Sequence, residues 1–164
     1  MRSGLIHQWT RMGLSALVTG TVASVLSTGA LALLAKRENK SAFQPTNATS
    51  HWLHGDRAAR RRGFDTAHTL VGYATHHASA LFWALPFEAW LASQPRRNTG
   101  ELVRDACAMS AIAAAVDYGV VPKRLTPGWE LVLSKRSLAA TYGAMALGLF
   151  GGALIARGWP GERT

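Results

Sequence analysis

The charged residues of this chain gather in the gaps between four apolar stretches, and that segregation restricts the fold more than any motif does. The stretches run over roughly 12–35, 67–91, 105–121 and 137–156, and the first and fourth contain no Asp, Glu, Lys, Arg or His. A helix rises about 1.5 Å per residue, so about 20 apolar residues cross a hydrocarbon core about 30 Å thick. The first, second and fourth stretches reach that length; the third is shorter and carries Asp117. A water-soluble bundle repeats polar residues every turn along its outer faces, whereas Met12–Ala35 offers only Ser, Thr and Gly beside its apolar residues. The prediction is an all-α fold, an integral membrane bundle of about four transmembrane helices. It forms a single membrane domain over 1–164 with a polar loop at 36–66.

The net charge of +9 could signal nucleic-acid binding. The basic residues sit in short loops flanking apolar stretches, however, which is where membrane topology places them. The densest run, Arg60-Arg61-Arg62, reads as a solvated or headgroup-facing loop, so no nucleic acid is expected as a partner. The single cysteine, Cys107, excludes an internal disulfide and reads as a small packing residue. Residues 1–35 could pass for a cleaved signal peptide, with Arg2 and Arg11 ahead of an apolar run. The run is about twice a usual h-region in length, however, and Lys36-Arg37 follows as a stop-transfer pair, so an uncleaved first span is expected. Asn39-Lys40-Ser41 and Asn47-Ala48-Thr49 match the glycosylation sequon, which matters only in a eukaryotic secretory setting.

Four spans put both termini on one side. Arg2, Arg11, Arg96, Arg97, Arg104, Arg157 and Arg163 would share that side, seven in all, against eleven Lys and Arg in the loops at 36–66 and 122–136. The positive-inside rule then leans toward cytoplasmic loops. Trp9, Trp90 and Trp159 would mark one interface, with Trp52 and Trp129 near the other. Pro86 leaves the Phe82 carbonyl without its helical donor, so a kink is expected there. Thr126-Pro127 reads as a helix start, with 129–133 lying along the interface. Small residues repeat every four positions at Ser15, Thr19, Ala23 and Ser27, and again at Ala140, Ala144, Gly148, Gly152 and Ala156. Such rows let helix backbones approach closely, either inside one bundle or across a dimer seam.

Ionisable groups inside a span are expensive and therefore face a partner, a cavity or a cofactor. One end of the predicted bundle gathers His51, His54, Asp56, Asp65, His68 and Asp117, with His76 or His77 about 12–14 Å deeper than His68. Three readings of this polar cluster follow. In the first, the groups satisfy one another, Asp117 with His68 or a loop arginine and His76 with a backbone carbonyl. In the second, His51, His54, His68 and His76 hold a metal or haem, imidazole being a common ligand for zinc, iron and copper. In the third, His76 or His77 and Asp117 relay protons or a solute through the bundle. No phosphate loop, CxxC pair or GxSxG elbow is present to favour soluble-enzyme chemistry, and the catalytic residues stay unknown.

At Asn47–Asp56, at Gly72-Tyr73-Ala74-Thr75-His76-His77 and from Asp117 to Glu130, the chain resembles a family of uncharacterised small multi-pass inner-membrane proteins of bacteria. The resemblance implies bacterial inner-membrane residence and the same four-span layout; it supplies no catalytic residues. The leading expectation is a structural or accessory membrane protein, not an enzyme. Its partners would be the lipid bilayer and a second copy or another membrane protein, with no cofactor. A metal- or haem-dependent membrane enzyme is the alternative, and a small transport or channel subunit the third.

Overall fold

The structure is a computed structural model that describes residues 2–94 and 97–158, so Trp159, Arg96 and Arg163 of the expectations above lie outside the described residues. Among those residues the fold is all-helical, with no strand. Four long helices carry it: α1 (Arg2–Arg37), α4 (Val71–Ala92), α5 (Thr99–Gly119) and α6 (Lys135–Arg157). Between α1 and α4 lie two short helices, α2 (Gln44–Thr49) and α3 (His51–His54), and a 3-10 turn at Asp56–Arg60.

Each long helix ends where its sequence provides a stop. Lys36 and Arg37 occupy the last turn of α1, where cations complement the helix dipole. Asn39 then adopts φ 58°, its N–H bonding the Lys36 carbonyl while the Lys40 N–H reaches Ala35 (3.1 and 2.8 Å). That is the Schellman closure, with Asn in the place glycine usually takes. Asp65 caps the π-type turn Thr66–Leu70 that leads into α4. Pro86 sits inside α4. A capping box opens α5: the Asn98 side chain accepts from the Glu101 N–H, and Glu101 accepts from the Asn98 N–H, both at 2.9 Å.

At the start of α6, Ser134 caps the helix and also donates to Glu38, which follows α1. Glu38 accepts further bonds from the Ser134 N–H and the Ser137 hydroxyl, joining the end of α1 to the start of α6. The Ser134 and Ser137 hydroxyls hold the Glu38 carboxyl below its usual range. A depressed folded-state pKa stabilises the fold fully above the unfolded-state value, about 4.3 for Glu, and that contribution is lost as pH falls through the folded value. Wild type is therefore expected to melt higher than Glu38→Gln near neutral pH, with the gap closing on acidification below about pH 4. A gap in melting temperature that stays constant down to pH 3 would contradict this role.

Helix α1 packs along both α6 and α4, while α5 packs mainly along α6. The close approaches use residues without bulk. A Cβ built on Gly148 would meet the Ala23 Cα at 2.3 Å, and one on Gly152 would meet the Thr19 Cα at 2.5 Å. Gly20 similarly lies against Leu81 of α4. The two small-residue rows therefore face each other within the chain, although Ala140, at the end of its row, is exposed. Large apolar side chains point outward on all four helices, among them Leu17, Leu33, Phe82, Ile112, Leu147 and Ile155. The interior holds Leu31, Phe87, Leu102 and Leu149 and, among them, the polar Thr19, Ser24, Ser27, His76, Glu88, Ser110 and Thr141. Two helices, His7–Arg37 and Lys135–Arg157, are long and apolar enough to cross a membrane. The other two are long enough but more polar: α4 carries His76, His77 and Glu88, and α5 carries Glu101, Arg104, Asp105 and Asp117.

The segment from 122 to 134 departs from its sequence reading. Thr126 does not start an α-helix. It follows a 3-10 turn at Lys123–Leu125, and Gly128 at φ 81° leads into another at Trp129–Leu131. The Ala48 carbonyl would lie 2.5 Å from a Cβ on Gly128, so the turn is pressed against α2. Trp129, Val132 and Leu133 are buried instead of lying along an interface. Cys107, expected as a packing residue, is exposed on α5.

Candidate functional site

A cavity of about 360 Å³ lies where α4, α5 and α6 meet the two polar segments around Trp52 and Trp129. Its walls are largely aromatic and apolar: Trp52, Trp83, Trp129, Tyr142, Ala80, Leu125, Pro127 and Met145. His76 and Asp117 also line it, together with the hydroxyl-bearing Thr49, Thr75, Ser79 and Thr126.

Each polar side chain is held from a different element. Ser27 of α1 donates its single hydroxyl proton to the Ala23 carbonyl (2.6 Å), so its oxygen can only accept from His76 Nε2–H, 2.9 Å away. That bond sets the tautomer of the buried His76, whose ring stands edge-on to Trp129 with centroids 5.4 Å apart. Elsewhere in the lining, the Tyr142 hydroxyl donates to Asp117 (2.6 Å). Tyr142 is fixed at both ends by α5, because Ser110 donates to its carbonyl (2.6 Å). The Trp129 indole N–H donates to Thr49, and that of Trp52 donates to Thr75 (3.0 and 3.1 Å). The tryptophan rings are thus oriented by hydrogen bonds.

The loop that closes this end depends on Asn47, which is fully buried. Its amide donates to the carbonyls of Arg61 and Gly63 (2.9 Å each), and its oxygen accepts from Thr69 at 2.6 Å. An Asn with every side-chain polar atom engaged this way is not a free glycan acceptor.

Of the residues singled out in the sequence, the structure brings His76 and Asp117 to one cavity and distributes the rest. His51 is buried, with Nε2–H donating to the Thr126 carbonyl (2.9 Å), and Nδ1 lies 3.5 Å from exposed Asp56. The His54 and His68 rings lie against each other, tilted by 37° with centroids 4.4 Å apart. His68 Nδ1 is 3.0 Å from Asp65, whose carboxyl is held below the usual range chiefly by that imidazole. Asp117 meets Tyr142, not His68 or a loop arginine, and His76 meets the Ser27 hydroxyl together with the Ser24 backbone carbonyl. His77 stacks on Tyr73. Among the described residues, no group of three or more His, Cys, Asp or Glu is arranged to hold a metal.

The aromatic wall was not visible in the sequence. The sequence pattern puts Trp129 in an interface belt, yet it is 4% exposed and packs on Tyr142, centroids 5.8 Å apart. Asp117 stands out in the sequence as an ionisable group within an apolar stretch, but its partner Tyr142 lies 25 positions away on another helix.

Fold and site together define an all-helical protein with two helices capable of crossing a membrane and an aromatic cavity containing one carboxylate and one imidazole. Protein-family models, curated proteins and solved structures give no match to the chain.

Proposed function

We propose that the chain is a four-span membrane protein of the bacterial inner membrane, forming one membrane domain, with an accessory, non-catalytic role. It works by holding a small amphipathic ligand in the cavity beside His76 and Asp117. Four crossings are supported by the outward faces: all four long helices turn large apolar side chains outward, while hydroxyls, an imidazole and carboxylates are buried among the apolar residues of the core. Water-soluble bundles instead turn polar residues outward.

The observation that carries the ligand reading is the cavity itself. Its volume of about 360 Å³ falls within the size of small-molecule sites. Mostly apolar walls with a few fixed polar groups are the pattern such sites share. A binding role in preference to catalysis is supported by the way His76 and Asp117 are already engaged, by Ser27 and Tyr142.

Native mass spectrometry of the full chain extracted from its membrane tests this reading. One small-molecule adduct per chain is expected in wild type, and its loss in Ser79→Trp, which fills the cavity from an exposed position on α4. A bare wild-type chain, or equal adducts in both proteins, would contradict it.

A further inference from the structure

The charge balance of the cavity goes further than its shape. Asp117 is the carboxylate in its wall, and Glu130 lies close enough to interact with it electrostatically. Among the described residues, neither Lys nor Arg lines the cavity. Arg124 is in the neighbouring turn, but its Nε donates to the Trp52 carbonyl (3.0 Å). Tyr142 gives Asp117 a hydrogen bond without any positive charge. His76 directs its Nε2–H to Ser27. An ionised carboxylate in a largely apolar site is costly without a compensating charge, and among the described residues the wall holds no fixed positive charge beside Asp117.

The walls fit that missing charge. Trp52, Trp83 and Trp129 line the cavity with Tyr142, and the faces of such rings attract cations, quaternary ammonium groups in particular. We infer that the cavity takes an organic cation, an ammonium or quaternary ammonium group on an apolar body, with its charge against Asp117 and the tryptophan rings. This rests on the reading of the cavity as a ligand site and names the ligand's chemistry. The cation has two sources, the ammonium headgroup of a membrane lipid or a free hydrophobic amine.

The test titrates the full chain in phosphatidylglycerol nanodiscs with benzyltrimethylammonium and with its neutral isostere neopentylbenzene, reading tryptophan fluorescence. Saturable binding of the cation is expected, about tenfold tighter than the isostere, and a loss of about tenfold in Asp117→Asn, which keeps an acceptor for Tyr142. Equal affinity for both probes, or an Asp117→Asn protein that binds the cation as wild type does, overturns the cation assignment while leaving the ligand site standing. No saturable change with either probe removes both. If Asp117→Asn does not fold, Trp52→Leu replaces it: a cation affinity about threefold weaker supports the proposal and an unchanged one overturns it. Adding phosphatidylethanolamine to the nanodiscs separates the sources. Weaker apparent affinity for the probe upholds the proposal with a lipid headgroup as occupant, and unchanged affinity upholds it with a free amine.

Discussion

Gly148→Val is expected to destabilise the bundle by about 3 kcal/mol, the upper part of the range for overpacked cores, and to lower its melting temperature in detergent accordingly. The reason is contact with backbone, which cannot rotate away. A Cβ on Gly148 would come within 2.3 Å of the Ala23 Cα and 2.9 Å of its nitrogen, so α1 and α6 would have to separate. Their separation would also disturb Gly152 against Thr19, and Thr19 donates to the buried Glu88 at 2.5 Å. Gly151→Val is the control. Beyond its own stretch of helix, nothing lies within 4 Å of a Cβ there, so its melting temperature should stay close to that of wild type. Equal losses at the two positions would show that the damage comes from valine in the helix and not from the α1–α6 contact.

Asn47→Asp ranks second, at about 3 kcal/mol from groups left buried without partners. The substitution is nearly isosteric, so packing is preserved and hydrogen bonding changes. The amide that donates to the Arg61 and Gly63 carbonyls at 2.9 Å becomes an oxygen, facing two other oxygens in a fully buried position. The bond from Thr69 survives. Release of the 61–63 segment from α2 would be read as faster proteolysis at Arg60, Arg61 and Arg62, all exposed, before the helices themselves melt. Wild-type melting together with wild-type proteolysis would contradict the role given to Asn47.

What the sequence made legible follows from the range of the forces involved. The first and last apolar stretches were plain because composition alone identifies them, and they correspond to α1 and α6. The start of α5 was readable but missed: Asn98 followed by Glu101 is a capping-box pattern, and the helix begins six residues before the apolar stretch does. Thr126-Pro127 misled because a proline after a threonine opens helices and turns alike. Only the contact of Gly128 with Ala48 decides for the turn. Ser134, the actual cap of α6, draws part of its effect from Glu38, which is 96 positions away. The cavity was the least legible feature. His76 finds Ser27 across 49 positions and Trp129 finds Thr49 across 80, distances that no local pattern encodes.

In the proposed topology α4 and α5 cross the membrane along with α1 and α6. Single cysteines at Arg57, Ser93 and Lys123, all exposed, introduced into a Cys107→Ala background, test it most directly. Labelling uses a membrane-impermeant maleimide on sealed vesicles of one orientation. Four crossings predict that Ser93→Cys reacts from the side opposite to Arg57→Cys and Lys123→Cys. If all three cysteines react from the same side, α4 and α5 do not cross, and the four-span account is wrong.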